Sequence, residues 1–186
     1  MRYDSAEGTM QAEFAGGAVP RLEYPGRGQV LRNFALLSAA GKQVQVSDYR
    51  GRANLVLVLA GARGSEPDLS LLQQLSALQA QVLEQEAQVL AVLYCTREQA
   101  QIIKQRARLP FVVLADCEGA VHRSLGALDP EGAPRLAVYV TDRYAEVFAA
   151  WRTLLGEAVP GAQEIVSWLE FINRQCPECF PPEWPA

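Results

Sequence analysis

No cysteine precedes Cys95 in this chain, although four occur in all. The segment NLVLVLAGARGSEPDLSLLQQL, residues 54–75, reads as a buried strand, a Gly-punctuated loop and an amphipathic helix. The start of such a helix is where the dipole favours a thiolate, and here no thiol is available to use it. Cationic surplus is missing too. Lys and Arg number 17 against 21 Asp and Glu, for a net charge of -4 and a pI near 5.1. A chain without a basic run has nothing to neutralise a phosphate backbone, which excludes nucleic acid as a partner. No apolar run approaches the ~20 residues that span a bilayer; stretches such as Leu55–Ala62 are strand-sized. The opening MRYDSAEGTMQAEF has acidic residues and no apolar core, so it is not expected to act as a signal peptide. A cytoplasmic protein with mostly reduced cysteines follows as the expectation. There is no Gly-rich phosphate loop and no nucleophilic-serine elbow, and the scattered acidic residues form no acid/base pair.

What is present is an ordinary globular composition, 49% hydrophobic and 20% charged over 186 residues, enough for one domain with a sizeable core. Residues 1 to about 28 contain Gly16, Gly17, Pro20, Pro25, Gly26 and Gly28 without periodicity, and read as an extended arm. FALLSAAGKQVQVSDYRG predicts two short strands around Ala40–Gly41, with Val44 and Val46 alternating against Gln43 and Gln45. NLVLVLAG and AQVLAVLYC are continuously apolar, as strands covered on both faces are. Between them Leu72, Leu75, Leu78, Val82 and Leu83 predict one helix from Leu69 to about Glu86. TREQAQIIKQRAR is a helix that Thr96 can cap and Pro110 stops. FVVLAD is a third covered strand, CEGAVHRSLGA a short helix, and PRLAVYVTDRYAEVFAAWR a hairpin turning at Thr141–Tyr144. A last amphipathic helix, about Ala162 to Gln175, presents Ile165, Trp168, Leu169 and Ile172 on one face. Helices alternating with covered strands predict a layered α/β sheet with an antiparallel addition.

Three phrases, in order, resemble the peroxiredoxin family, the alkyl hydroperoxide reductase and thiol-specific antioxidant group. NFALLSAAGKQVQVSDYRGRANLVLVLA is similar to that family's P-D-F-x-L strand, D-G-K turn, L-S-D-x-x-G-K segment and first core strand. LPFVVLADCEGAVHRSLGA resembles F-P-x-L-S-D-x-x-G-x-V-A-x-x-Y-G-V, and APRLAVYVTDRYAEV resembles x-P-R-x-x-F-V-I-D-x-x-G. The match runs from about Gly28 to Val147. The resemblance implies a thioredoxin-like, three-layer α/β/α sandwich with a central mixed sheet, and antioxidant or oxidoreductase chemistry. It divides the chain into an extended arm (1–27), a peroxiredoxin-like domain (28–175) and a C-terminal CPEC tail (176–186). The family's motif P-x-x-x-T-x-x-C falls on GARGSEPD, placing Gly61 at the Pro, Ser65 at the Thr and Asp68 at the Cys; the family's arginine falls on Arg135. With an ungapped loop Asp68 is the residue at the helix start, and otherwise Glu66 takes that place. A carboxylate there suits a helix N-terminus, worth ~0.3–1 kcal/mol, or serves as an N-cap. It has no sulfur to pass through sulfenic acid and cannot run the peroxidatic cycle.

Of the cysteines, Cys176 and Cys179 form CPEC after the last helix. The spacing is that of a redox dithiol or half a zinc site, and a solvated tail is the third reading. Two intervening residues, with Pro177 setting a turn, allow the ~4.4–6.8 Å between Cα atoms that a disulfide tolerates. Zinc would need further ligands from Cys95, Cys117, His122 or a second subunit. Cys95 closes a buried strand as a small hydrophobe, Cys117 sits in a more exposed turn, and the lone His122 is expected on a helix surface. Three functions stay open: a binding or structural module without peroxidase activity, a thiol–disulfide oxidoreductase using Cys176 and Cys179, and a peroxidase using another cysteine such as Cys117. The partner would be a protein or a small thiol, with a homodimer as an open assembly.

Overall fold

A computed structural model of the chain describes residues 24–61 and 69–175. The assignments to Ser65, Glu66, Asp68, Cys176 and Cys179 fall outside the described residues. Seven strands form one sheet: β1 (Ala35–Ser38), β2 (Gln43–Gln45), β3 (Asn54–Gly61), β4 (Ala87–Tyr94), β5 (Val112–Ala115), β6 (Ala137–Thr141) and β7 (Val147–Arg152). Five helices accompany them: α1 (Ser70–Ala77), α2 (Gln79–Glu84), α3 (Arg97–Arg106), α4 (Ala120–Ser124) and α5 (Ala162–Asn173). The spatial order is β2-β1-β5-β4-β3-β6-β7. β3, β4 and β5 run parallel, while β1, β2, β6 and β7 join antiparallel.

The continuous apolar runs are explained by the two cores they feed. A strand turns successive side chains to opposite faces, so Val56, Val58 and Ala60 of β3 enter one cluster with the inner residues of α1, α2, α3 and α5. Leu55, Leu57 and Leu59 enter the other, with Val121 of α4, Leu125 just after it, Leu31 and Val46. The mixed α/β/α sandwich expected from the family pattern is therefore the observed architecture.

Two local expectations change. The single helix after the first core strand is two, because Leu78 leaves helical geometry (φ -98°, ψ 15°) and its N–H bonds to both Gln74 and Ser76. Neither Gly nor Pro marks that break. Val46 does not extend β2: Asp48 accepts a hydrogen bond from the Gln45 N–H at 2.9 Å and turns Val46–Tyr49 into a 3-10 helix, which still buries Val46. Thr96 caps α3 as expected, in a reciprocal box with Gln99.

The end of the arm is docked. The Gly28 N–H donates to the Val147 carbonyl at 2.8 Å, the Val147 N–H donates to Gln29 at 2.9 Å, and this pairing covers part of the β7 edge. The Arg27 guanidinium lies 5.6 Å from the Trp168 ring centre. At the opposite end of β3 from Gly61, Asn54 is 1% exposed, and its amide donates to the Gln85 carbonyl (3.2 Å) and to Asn173 Oδ1 (2.8 Å), tying α5 to the first core strand. Asn54→Ala removes the donor to Asn173 Oδ1 and one of the two amide donors to the Gln85 carbonyl, and should cost ~1–3 kcal/mol in urea unfolding. Combined with Asn173→Ala it should cost less than the sum of the two, and full additivity would show that the tie carries no coupling.

Candidate functional site

Open α/β sheets keep their sites at the carboxyl ends of the parallel strands, and here β3, β4 and β5 end at Gly61, Tyr94 and Ala115. Antiparallel pairing of Leu59 with Ala137, continued two residues, brings Gly61 alongside Arg135. The approach is close. A Cβ on Gly61 would stand 2.2 Å from Pro134 Cγ, so only glycine lets the β3 end pass under the Pro134 ring. Gly61 and Arg135 are thus neighbours, and residues 62–68, with Ser65 and Asp68, follow Gly61 in sequence.

The Arg135 cation is engaged. Its Nε and Nη2 both donate to Asp129 Oδ2, at 3.2 and 3.0 Å. Asp129 Oδ1 takes the Ala133 N–H at 2.7 Å. The guanidinium is half exposed while Asp129 is nearly covered, so the pair lies at the surface with the carboxylate beneath.

The group that sequence reasoning misplaced is His122. It sits on α4 but is 0% exposed, beneath the sheet rather than on a helix surface. Gly119, with φ +71°, makes the left-handed turn into α4. That turn directs Val121, His122 and Leu125 inward and leaves Arg123 and Ser124 out. A buried imidazole needs partners, and it has two. Nδ1 lies 2.9 Å from Asp116 Oδ2, the same oxygen that accepts the His122 backbone N–H at 2.8 Å. Nε2 lies 3.3 Å from the carbonyl oxygen of Ala60, one residue before Gly61. The Tyr94 ring packs 5.6 Å away.

One carboxylate oxygen of Asp116 thus faces both the backbone N–H and ring Nδ1 of His122, which fixes the orientation of the ring. Burial opposes ionisation of Asp116, but the hydrogen bonds from the ring and backbone of His122, with the charge of its ring, prevail and hold the carboxyl below its usual range. The fold therefore favours the ionised carboxylate of Asp116. The signal available in the sequence was Asp116 six residues before His122 across Gly119. His122 also occupies the alanine position of the family's G-x-V-A-x-x-Y-G-V pattern.

Neither ring nitrogen is left for a metal, and Cys95 is fully buried. Among the described residues no group of three or more His, Cys, Asp or Glu could hold a metal ion. Cys117 is exposed in the turn between β5 and α4. Among the described residues no helix is long and apolar enough to cross a membrane. A polar cleft of about 260 Å³ lies at the far end of β3, by Asn54, Glu86 and Arg143, away from these groups.

Removing one partner of the buried pair should destabilise the fold by ~3–5 kcal/mol, so Asp116→Asn and His122→Ala both lower the urea midpoint. The pH dependence has a definite sign. Because Asp116 ionises more readily folded than unfolded, its contribution is complete above the unfolded carboxylate value of ~3.9 and is lost as pH falls through the folded value. Asp142 and Glu146, both pushed up by burial, act in the opposite sense but equally in the parent and the variant. The stability gap between the parent and Asp116→Asn should therefore close on acidification, and a gap unchanged down to pH 2 would contradict a stabilising Asp116 carboxylate.

A model of the AhpC/TSA family matches residues 27–149. Among solved structures, the peroxidoxin BcpB of Mycobacterium tuberculosis superposes with a TM-score of 0.68 at 15% identity, covering 80% of this chain and 99% of that one. The reduced 2-Cys peroxiredoxin of Plasmodium vivax gives 0.70 at 13% identity, covering 83% and 84%. A PrxQ mutant of Xylella fastidiosa gives 0.64 at 19%, covering 80% and 98%. At these identities the likeness is one of fold. Comparison with curated proteins gives no match. The family pattern spans both core strands, the strand and turn that lead to His122 and the hairpin beyond, and the chain belongs to the AhpC/TSA family of peroxiredoxins.

Proposed function

We propose that this chain is a peroxiredoxin-fold protein without peroxidase activity, serving as a binding or structural module. One observation carries the reading: β3, the loop 62–68 and α1, the segment where the family's thiolate would stand, contain no cysteine. The first cysteine in the chain, Cys95, follows β4 and is wholly buried. Asp68, in the aligned position, can lend charge to the start of α1 but cannot be oxidised and reduced. Ser65 would keep a hydroxyl and Arg135 a cation beside that loop, enough to bind a polar ligand without turning it over.

A second reading assigns thiol–disulfide exchange to Cys176 and Cys179, and their C-x-x-C spacing favours it. Against it stands their place just after the carboxyl end of α5, where the helix dipole disfavours a thiolate. In both readings the working unit is residues 28–175, with the arm 1–27 and tail 176–186 attached. Both place a cytoplasmic protein with a protein or small-thiol partner, a homodimer as a permitted assembly, and zinc only at the tail.

Purified protein with excess dithiothreitol should consume hydrogen peroxide no faster than dithiothreitol alone. Turnover that disappears on Cys117→Ser or Cys95→Ser would overturn the first reading. Reduction of a small disulfide substrate, abolished by Cys176→Ser, would establish the second.

A further inference from the structure

Arg135, Arg143 and Arg152 each donate from Nη2 to a carboxylate, and of the three only Arg143 leaves Nε unused. Arg152 sends Nε and Nη2 to the two oxygens of Glu157, at 3.3 and 3.2 Å. Arg135 sends both to Asp129 Oδ2. Arg143 gives Nη2 to Glu86 Oε2 at 2.9 Å, while its Nε is shielded from solvent and has no acceptor among the described residues. A shielded donor in that condition is uncommon and calls for a physical reason. Arg143 lines the cleft of about 260 Å³ at the far end of β3, together with Glu84, Glu86 and Ile172. We propose that this cleft holds a small zwitterion of the α-amino-acid type, its carboxylate taken on the Nε–Nη2 edge of Arg143 and its ammonium on Glu84 and Glu86.

The wall behind the cleft is already satisfied. The Asn54 amide donates to Asn173 Oδ1, and the Asn173 amide donates to the carbonyl and Oε1 of Gln85. The unmet capacity therefore belongs to Arg143, whose planar edge fits both oxygens of a carboxylate. Glu86 fills half of that edge. Its backbone stands in the left-handed region, with φ +50°, held by its N–H to Leu83 and by the Asn54 N–H to its carbonyl. Its side chain is 65% exposed, and an ion pair so exposed is weak. A ligand carboxylate that offers two oxygens displaces it, turning the Nε edge toward the cleft. Charge selects the rest of the ligand. Two carboxylates, Glu84 and Glu86, face one guanidinium, so a plain anion enters against a negative surplus. A plain cation leaves Nε unfilled. A zwitterion answers both, because the Glu86 that its carboxylate displaces joins Glu84 around its ammonium. The volume lies below the ~300–1,000 Å³ of pockets for drug-sized ligands, which limits the occupant to a small molecule, and Ile172 gives it an apolar floor. This site lies at the other end of β3 from Gly61 and does not depend on the function proposed above.

The probes are L-valine, isovalerate, which lacks its ammonium, and isobutylamine, which lacks its carboxylate. Each is titrated at neutral pH into the whole protein labelled with nitrogen-15. NMR follows the Nε–H of Arg143, the side-chain amides of Asn54 and Asn173, and the backbone amide of Glu86. L-Valine should move these signals to saturation and leave the Nε–H of Arg135 in place. It should bind at least about tenfold tighter than either of the other two, the worth of one hydrogen bond to a charged group. Arg143→Lys keeps the cation but loses the paired donors, and should weaken L-valine by about the same factor. Glu86→Gln removes the competing carboxylate, and should narrow the gap between isovalerate and L-valine. The proposal is overturned if L-valine gives no saturable shift at these residues, or if the three probes bind alike. It is equally overturned if Arg143→Lys binds L-valine as the parent does, or if Glu86→Gln leaves the gap unchanged.

Discussion

Burial of β3 on both faces is the constraint from which the rest of the structure follows. Seven of its eight residues, Asn54 to Ala60, are buried. A strand in that position needs a packed layer above and below. One layer is supplied by α1, α2, α3 and α5, and the other by α4 with the segments around Leu31 and Val46. It also leaves no room for chemistry along its length. Chemistry can stand only where the strand ends, at Gly61, and only on groups that other elements bring there.

What those elements bring is a set of polar groups largely satisfied by one another. His122 spends both nitrogens on Asp116 and Ala60, and Arg135 gives two donors to Asp129. Reactive groups in working sites are commonly held with perturbed ionisation and one functional atom open to a ligand. The His122–Asp116 pair instead has its functional atoms closed, which makes it a fastening rather than a reagent. The half-exposed Arg135 retains the capacity for ligand contact. Together with the absence of cysteine from residues 54–77, this arrangement is the ground for the binding role proposed above.

The layered fold was legible because its signals are local. Continuous apolar runs marked β3 and β4, Thr96 marked the start of α3, and turn residues marked the β6–β7 hairpin. The break at Leu78 was not legible, since it carries no Gly or Pro and shows only in backbone angles. His122 was misread for a different reason. Its burial depends on a left-handed turn at Gly119 and on a partner carbonyl 62 residues away in sequence, and neither appears in helical periodicity. The proximity of Gly61 to Arg135 was legible only through the family pattern, because it comes from antiparallel pairing of β3 with β6.

The central claim, that a peroxiredoxin fold is kept here without its oxidisable sulfur, is tested most directly by trapping sulfenic acid. The protein is mixed with one equivalent of hydrogen peroxide in the presence of dimedone, quenched within seconds, and the peptides bearing each cysteine are weighed by mass spectrometry. The account predicts no adduct on Cys95 or Cys117 above that of an unfolded thiol control, and none on Cys176 or Cys179 beyond the same level. Rapid, stoichiometric adduct formation on any one of them would contradict it and identify a peroxidatic cysteine.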